Sequence, residues 1–219
     1  MKKWMTVLVA VMLVLSMTTA FAAGVPSKTS TTTTTIVGME TVSGDPLPEG
    51  FGIEVGPDTA MTIGLIESLG DFVSEGGTPI DFFEPEVQTE ILAHLNANKA
   101  ETEALTLDDL KDWQINEIIS VDAKDYDPET GDVIVTFEFA TPYQVGQKMV
   151  GILDCFNGQR VEVEPNVFEF VSEKIILDAE VKEAVDGKGQ VAVTFTKDAL
   201  VKMQDSVASA LSILSEPAK

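Results

Sequence analysis

The chain has 219 residues, of which 36 are Asp or Glu and 14 are Lys or Arg, so its formal net charge is −22. A hydrophobic fraction of 44% with 23% charged residues is typical of a folded protein and excludes disorder of the whole chain. The strong negative charge also makes nucleic acids and anionic lipid surfaces poor partners.

Residues 1–22 have the pattern of a secretory signal peptide. Lys2 and Lys3 supply the positive start, and an apolar stretch follows from Val7 to Leu15. That stretch is short for a membrane anchor, which is the alternative, so we predict cleavage and no stable membrane span afterwards. The residues of the predicted processing site are Ala20, Ala22 and Ala23. The sequence therefore predicts a secreted or extracytoplasmic protein.

Cleavage would change the charge of the chain but not its cysteine content. Loss of Lys2 and Lys3 leaves 12 basic and 36 acidic residues, a net charge of −24 for the mature chain. Cys155 is the single cysteine, so we expect no intramolecular disulfide and no lipid anchor at the processing site. The fold must then be stabilised by its hydrophobic core.

Residues 23–58 have the composition of a Ser/Thr-rich and Gly/Pro-rich linker. The threonine run from Thr31 to Thr35 favours a tether, with an edge strand as the alternative. The frequent Gly and Pro residues between positions 44 and 57 predict one short strand at most. We assign residues 59–216 to a single globular domain.

Apolar residues at helical spacing predict three helices at the start of this domain. The first starts after a cap at Asp58 or Thr59 and ends at Gly76-Gly77, and the second follows Pro85. The third starts at a capping box of Thr106 and Asp109 and ends near Trp113. The apolar stripes of the first two are Met61, Leu65, Leu69, Phe72 and Val73, and Val87, Ile91, Leu92 and Leu95.

After Ile115 the apolar residues recur with a period of two, which predicts β-strands. The predicted hairpins are 115–123 with 133–139 around the turn 127–131, 175–181 with 191–195 around the turn 186–189, and a third around Pro165-Asn166. A helix is predicted after each of the first two; the helix after the first hairpin starts at Thr141 and Pro142 and stops at Asn157-Gly158. Their apolar stripes are Val145, Met149, Ile152, Leu153 and Phe156, and Leu200, Met203, Val207, Leu211 and Leu214.

The heptapeptides 131–137 and 189–195 share five of seven residues. This similarity suggests an internal repeat of two strand-strand-helix units, residues 115–157 and 173–215, with convergent strand composition as the alternative. We therefore predict an α+β fold with N-terminal helices followed by an antiparallel sheet built from these two units, with the helices on one face. Phe137 and Phe195 should then point into one core.

An acidic turn between the first two predicted strands is a candidate cation site. Its carboxylates are those of Asp125, Asp127, Glu129 and Asp132. Alternating oxygen ligands begin calcium loops, but such a loop needs glycine at its sixth position and a carboxylate at its twelfth, where this chain has Thr130 and Thr136. We favour a solvated turn and keep divalent-cation binding as an alternative.

His94 and Cys155 are each the single residue of their type in the chain. His94 lies four residues after Glu90 on the second predicted helix, so the two could act together as an oriented base or as metal ligands. A nucleophilic Cys155 would need His94 as its base. Because one histidine cannot complete a zinc site and free cysteines are usually buried, we assign neither residue a catalytic, metal or cofactor role.

Two carboxylates could also act together in glycoside hydrolysis. With 36 acidic residues some pairs will approach one another by chance, so their number carries no signal. The Trp and Tyr residues of the mature chain that could stack on a sugar are Trp113, Tyr126 and Tyr143, and each also suits a core position. Sequence motifs of serine hydrolases, phosphate-binding loops and zinc proteases are absent.

We therefore predict an exported, acidic, non-catalytic protein without a cofactor, which binds a macromolecule at or outside the cell envelope. The alternatives are an extracellular carboxylate-dependent hydrolase and an acidic divalent-cation-binding module. Two buried carboxylates converging on one site would favour the hydrolase.

Overall fold

The fold is given by a computed structural model that describes residues 34–97, 99–100, 103–164, 167–185 and 188–218. The predicted signal peptide, its processing site and turn residues 165–166 and 186–187 lie outside the described residues. None of the helices within these ranges combines the length and the apolar character that a membrane crossing requires.

Most of the described chain belongs to one antiparallel sheet. Its eight strands have the order β1-β4-β7-β6-β5-β8-β3-β2. They are β1 (Thr35–Thr41), β2 (Gly52–Val55), β3 (Gln114–Lys124), β4 (Val133–Phe139), β5 (Met149–Glu164), β6 (Val167–Val185), β7 (Lys188–Phe195) and β8 (Ala208–Ser215). All eight contribute to one apolar cluster, and the sheet is nearly closed, with its edge strands β1 and β2 close together.

The described residues also form three short α-helices and three 3₁₀ turns. The helices are α1 (Ala60–Ser74), α2 (Pro85–Asn96) and α3 (Lys197–Asp205). The 3₁₀ turns are Pro79–Phe82, Asp108–Leu110 and Pro128–Thr130. Helix α3 packs with Leu200 and Met203 into the cluster enclosed by the sheet, which we call the inner core. Helices α1 and α2 cover the opposite face, where Leu69 and Ile91 lie in what we call the outer core.

The predicted α+β fold with helices on one face is wrong. The protein is mostly antiparallel sheet, and its helices lie on both faces. The first predicted strand-strand-helix unit lacks its helix, whereas in the second the paired strands β6 and β7 are followed by α3. The helix predicted after Thr141 is a loop followed by β5. All eight residues from Met149 to Phe156 are buried because β5 has a core on each face, so the period of two is hidden and helical spacing arises by chance.

The last predicted helix is divided between α3 and β8. Helix α3 ends at Asp205, where Ser206 takes an extended backbone and its hydroxyl donates to the carbonyl oxygen of Lys202 at 2.6 Å. The following residues Ser209–Ser215 are buried in the middle of the sheet, so β8 also lacks a visible alternation. Leu211 and Leu214, predicted to share one helix face, lie in the inner and outer core respectively.

The two similar heptapeptides are neighbours in space. They form the pairing between β4 and β7, in which Val135 lies opposite Val193 and Phe137 opposite Val191. Phe137 and Phe195 are both fully buried in the inner core with their ring centroids 6.3 Å apart, so the expectation of a shared core is confirmed. The similarity therefore lies in two adjacent antiparallel strands of one sheet.

Several local predictions are confirmed, with differences in extent. Helix α1 starts after Thr59, whose side chain accepts from the N–H of Thr62, and α2 starts at Pro85. The N–H of Thr106 donates to Asp109 at 2.7 Å as in a capping box, but only a 3₁₀ turn follows. The segment predicted as a linker contains two strands, β1 and β2, where we expected at most one.

Candidate functional site

The two buried carboxylates in the described part of the chain lie on opposite faces of the sheet. Asp154 of β5 is 1% exposed and, by the alternation of the strand, shares the outer-core face with Ile152 and Phe156. Glu117 of β3 is 5% exposed and pairs with Ile213 of the inner core. With the sheet between them, they cannot flank one bond, so this pair does not support the hydrolase alternative.

Asp154 is the centre of a polar cluster at the edge of the outer core. Its Oδ1 accepts a hydrogen bond from the Ser172 hydroxyl at 2.6 Å and lies 3.3 Å from Lys174 Nζ. The Glu84 carboxylate, just before α2, lies 4.0 Å from the same ammonium. Asp154 Oδ2 is buried and lacks a hydrogen-bond partner among the described residues. Burial raises the pKa of Asp154 despite the opposing charge of Lys174.

The Asp154 cluster has the geometry of an ion pair and not of a nucleophile with its base. A serine beside a lysine is activated when the lysine accepts the hydroxyl proton. Here the Ser172 hydroxyl donates to Asp154, and the Lys174 ammonium is a donor to Ser172 at 3.3 Å. Lys174 is only 16% exposed and links a buried carboxylate to Glu84, so the cluster attaches the segment before α2 to β5 and β6.

Glu117 forms a second polar cluster, within the inner core. Its carboxylate accepts a hydrogen bond from the Thr141 hydroxyl, and burial raises the pKa of Glu117. Tyr143 is 1% exposed, and its hydroxyl lacks a hydrogen-bond partner among the described residues. Burial and the neighbouring charge of Glu117 raise the pKa of Tyr143 far above its usual value. These contacts attach the loop after β4 to β3.

His94 and Cys155 are separated by the sheet. His94 Nε2 lies 2.7 Å from Asp178 Oδ1, a contact between α2 and β6 on the outer-core side. Glu90, the predicted partner of His94, is exposed. Cys155 lies in the inner core, where burial raises its pKa, and Ser209 Oγ is its hydrogen-bond donor at 4.0 Å. The arrangement therefore contains no thiol–imidazole pair.

The carboxylates of the acidic turn are used in separate contacts. Asp127 Oδ1 accepts from the N–H of Glu129 at 2.9 Å, and Asp132 Oδ1 accepts from the N–H of Lys197 at the start of α3 at 2.8 Å. No group of three or more potential metal ligands occurs among the described residues. The turn joins β3 to β4, which are not neighbours in the sheet, so the hairpin predicted between residues 115–123 and 133–139 is wrong. Through Asp132 the turn also caps α3.

The three candidate sugar-stacking aromatics are buried. Trp113 is 3% exposed in the outer core, and Tyr126 and Tyr143 are 6% and 1% exposed in the inner core. The hydroxyl of Tyr126 donates to the carbonyl oxygen of Gly131 at 2.7 Å within the acidic turn. Each ring therefore serves packing in this structure.

The outer part of the β5–β6 hairpin extends beyond the pairing of β5 with β8; its β5 side is exposed, while Phe170 on β6 packs against the outer core. We define the arm as residues 157–164 of β5 and 167–172 of β6. Every residue from Met149 to Phe156 is buried, whereas every residue from Asn157 to Glu162 is exposed. A bulge starts the arm, because the pairing shifts between Phe156 and Arg160. Gly158 has φ = 80° there, a conformation that favours glycine.

Sequence reasoning missed the arm as well as both polar clusters. Glu117 could have been found, since it lies two residues before Ile119 on the inward side of a predicted strand. Asp154 was hidden within the false helix. The Asn157-Gly158 pair was interpreted as a helix stop, while it is the bulge that separates the buried and exposed parts of β5.

Comparison of the chain with protein-family models, with curated proteins and with solved structures gives no match.

Proposed function

We propose that the protein is a non-catalytic binding module, secreted or retained outside the cytoplasm, which contacts a macromolecule of the cell envelope through the arm. The observation that carries this proposal is the abrupt change along β5 from eight buried residues to six exposed ones. Phe170 of the arm packs against the outer core, whereas residues 157–162 are exposed. A two-stranded ribbon with so little burial is only marginally stable by itself. An extension of this kind gains stability when a partner covers it.

The distribution of ionisable groups also supports binding over catalysis. Asp154 is engaged by Ser172 and Lys174, Glu117 by Thr141, and the Cys155 thiol is buried. A catalytic site brings such groups to one place where substrate can reach them. In this protein the sheet separates Asp154 from Glu117, and their contacts join secondary-structure elements to each other.

The signal-peptide pattern and the acidity of the mature chain support the proposed location and partner class. A chain with the predicted processing site at Ala22 and Ala23 would act after export. A net charge of −24 favours soluble behaviour and contact with neutral or cationic surfaces. Nucleic acids are accordingly not proposed as partners.

The proposal is tested by sedimentation of a fluorescently labelled chain, residues 23–219, with cell envelopes from the producing organism. The arm-shortened variant replaces residues 157–171 with Asn-Gly, a two-residue turn that joins the paired positions Phe156 and Ser172. Saturable binding of the unmodified chain and at least tenfold weaker binding of the variant are expected. Cooperative melting of the variant shows that it is folded.

A matched pair of substitutions controls for general surface effects. Val161→Ser lies on the arm and Val145→Ser outside it, and the two valines are 50% and 68% exposed. We expect weaker envelope binding for Val161→Ser only. Absence of saturable binding by the unmodified chain, or equal binding by the folded arm-shortened variant, would contradict the proposal.

A further inference from the structure

One side of β6 carries a long open hydrogen-bonding edge. Residues Val167–Asp178 pair with β5, whereas β7 pairs with β6 only from Asp178 to Val185. Within the described chain, no strand therefore pairs with β6 at residues 167–177 on the side away from β5. Alternate residues of such an edge direct their N–H and C=O groups outward. At about 3.3 Å per residue the edge is about 36 Å long.

The open edge is accessible and regular. Each side chain from Glu169 to Ile176 is at least partly exposed, and the bulge at the base of the arm is on β5 and not on β6. Proteins usually protect open edges with proline, with bulges or with lysine side chains. Residues 167–177 contain no proline, and their one lysine, Lys174, is directed inward to Asp154.

We infer that the open edge of β6 binds an extended, basic polypeptide segment as an additional strand. This inference deepens the proposed function, since it names how the arm would bind and the chemistry of its partner. Strand addition satisfies the outward backbone groups, and side chains on alternate positions then select the partner.

The charge of the arm specifies the partner's chemistry. Glu169, Val171 and Glu173 follow one another on one face of β6 by the period of two, with Glu173 also contacting Lys202 of α3. Glu169 and Glu173 are both exposed. An added strand with lysine, valine and lysine at alternate positions would place the two lysines opposite Glu169 and Glu173 and the valine opposite Val171. A second copy of this chain, with its own charge of −24, is disfavoured by repulsion.

A synthetic probe can test both parts of the inference. The probe is a fluorescein-labelled peptide with the sequence Lys-Thr-Val-Thr-Lys-Thr-Val, and its binding to the full mature chain is followed by fluorescence anisotropy at about 0.15 M salt, where exposed charges are partly screened. One control peptide carries N-methyl groups on alternate residues, which block pairing and preserve charge. A second control has glutamate in place of both lysines. We expect saturable binding of the probe and at least tenfold weaker binding of each control.

Protein variants separate the edge from the overall charge. Glu169→Lys alters the open edge, and Glu129→Lys makes the same charge change in the exposed acidic turn. We expect Glu169→Lys to weaken probe binding at least fivefold and Glu129→Lys to change it less than twofold. Equal binding of the N-methylated peptide would overturn strand addition, and equal weakening by both variants would overturn the assignment to the arm.

The outcome also distinguishes this inference from the proposed function. If the probe does not bind, but the unmodified chain binds envelopes and the arm-shortened variant does not, strand addition is wrong while the binding module stands. If the probe binds as expected and envelopes do not bind, the edge is a peptide site and the envelope assignment is wrong.

Discussion

At the scale of single residues, the two buried carboxylates are stabilised by different neighbours. Asp154 has an ammonium at 3.3 Å, whereas the neighbour of Glu117 is the neutral Thr141 hydroxyl, which donates a hydrogen bond to it. Burial disfavours the charged form of both, and their pKa values are raised. The two sites therefore predict different responses to pH and to loss of a partner.

Glu117→Gln should flatten the pH dependence of stability. Because the pKa of Glu117 is higher in the folded than in the unfolded chain, the folded state holds the extra proton between the two values. The free energy of unfolding therefore falls as the pH rises from the pKa of Glu117 in the unfolded chain, about 4.3, through its raised pKa in the folded chain. Glutamine at position 117 removes this fall in the free energy of unfolding, and its amide oxygen can still accept the hydrogen bond from the Thr141 hydroxyl. Urea unfolding at a series of pH values from about 4.3 upward measures the effect, with the exposed Glu129→Gln as control. The prediction would be refuted if the free energy of unfolding varied with pH in the same way for Glu117→Gln and for the unmodified protein.

Lys174→Met should destabilise the protein by about 3 kcal/mol at neutral pH, because it leaves the carboxylate of Asp154 buried without its counter-charge. The loss should be smaller in acid, where Asp154 can be protonated. In the double variant Lys174→Met with Asp154→Asn, most of the stability should return, since the buried charge is absent. Denaturant titration of the single and double variants provides the comparison. Equal losses in both would show that packing of the lysine side chain, and not charge, is responsible.

At the scale of secondary-structure elements, close backbone approach fixes how β7 meets the loop after β4. A Cβ atom added to Gly189 would lie 2.7 Å from Tyr143 Cβ and 2.9 Å from the carbonyl oxygen of Thr141. The N–H of Gly189 also donates to that carbonyl oxygen at 3.0 Å. The loop that carries Thr141 to its contact with Glu117 therefore depends on a glycine at the start of β7.

Gly189→Ala should cost about 1–3 kcal/mol, as expected for overpacking against atoms that cannot move freely. Gly70→Ala in α1 is the matched control, because nothing lies within 4 Å of the added Cβ. Alanine in a helix should leave stability unchanged or raise it by up to about 1 kcal/mol. Thermal and denaturant unfolding of the two variants test the contrast. A Gly189→Ala protein as stable as Gly70→Ala would show that the loop yields without cost.

The arm and the open edge follow from how the strands are shared. Strand β6 has 19 residues, and its first part pairs with β5 while its last part pairs with β7. Asp178 is the residue at which the two pairings meet, since it lies opposite both Val150 and Thr194. On either side of Asp178, β6 therefore pairs along one edge only, and its other edge has no strand of the described chain beside it. The free edge nearer the arm is the one for which we propose a partner.

At the scale of the whole molecule, the sheet holds two cores. The inner core joins residues from all eight strands with α3, and the outer core joins α1 and α2 to β3, β5, β6 and β8. Strands β5 and β8 have neighbours on both sides and a core on both faces. Residues 149–156 of β5, together with β8, are the most enclosed part of the described fold.

Phe137→Ala and Phe195→Ala should each cost about 3–5 kcal/mol, because both rings are fully buried and a cavity remains. The losses should not add, since the ring centroids are 6.3 Å apart and the two cavities would merge or relax together. Denaturant unfolding of the single and double variants measures the coupling. Losses below about 1 kcal/mol at either site would contradict the packing of the inner core.

The exported form of the chain should begin near Ala23. The positive start, the short apolar stretch and the small-x-small pattern at Ala20-Phe21-Ala22 are the basis of this expectation. Intact-mass spectrometry of the protein outside the producing cells checks it. A product that retains Met1 in that fraction would show that the signal-peptide prediction is wrong.

Local features of this protein were predictable from sequence because short-range interactions decide them. The Thr59 cap of α1, the start of α2 at Pro85 and the alternation in β4 depend on neighbouring residues, and the structure has all three. Burial of Phe137 and Phe195 also followed from alternation alone. In these cases the pattern and its physical cause lie within one turn or one strand.

Tertiary structure decided the features that set the candidate site. Strand β5 is apolar on both faces because a core lies on each side of it. A short apolar run of this kind looks the same in the sequence of a fully buried strand and of a buried helix. Which residues of β6 lack a partner depends on where β7 ends, which is set by pairings between residues far apart in the chain. The separation of Asp154 from Glu117 likewise arises from the sheet between them. Those relationships are long-range contacts, so composition, spacing and local propensity alone did not contain them.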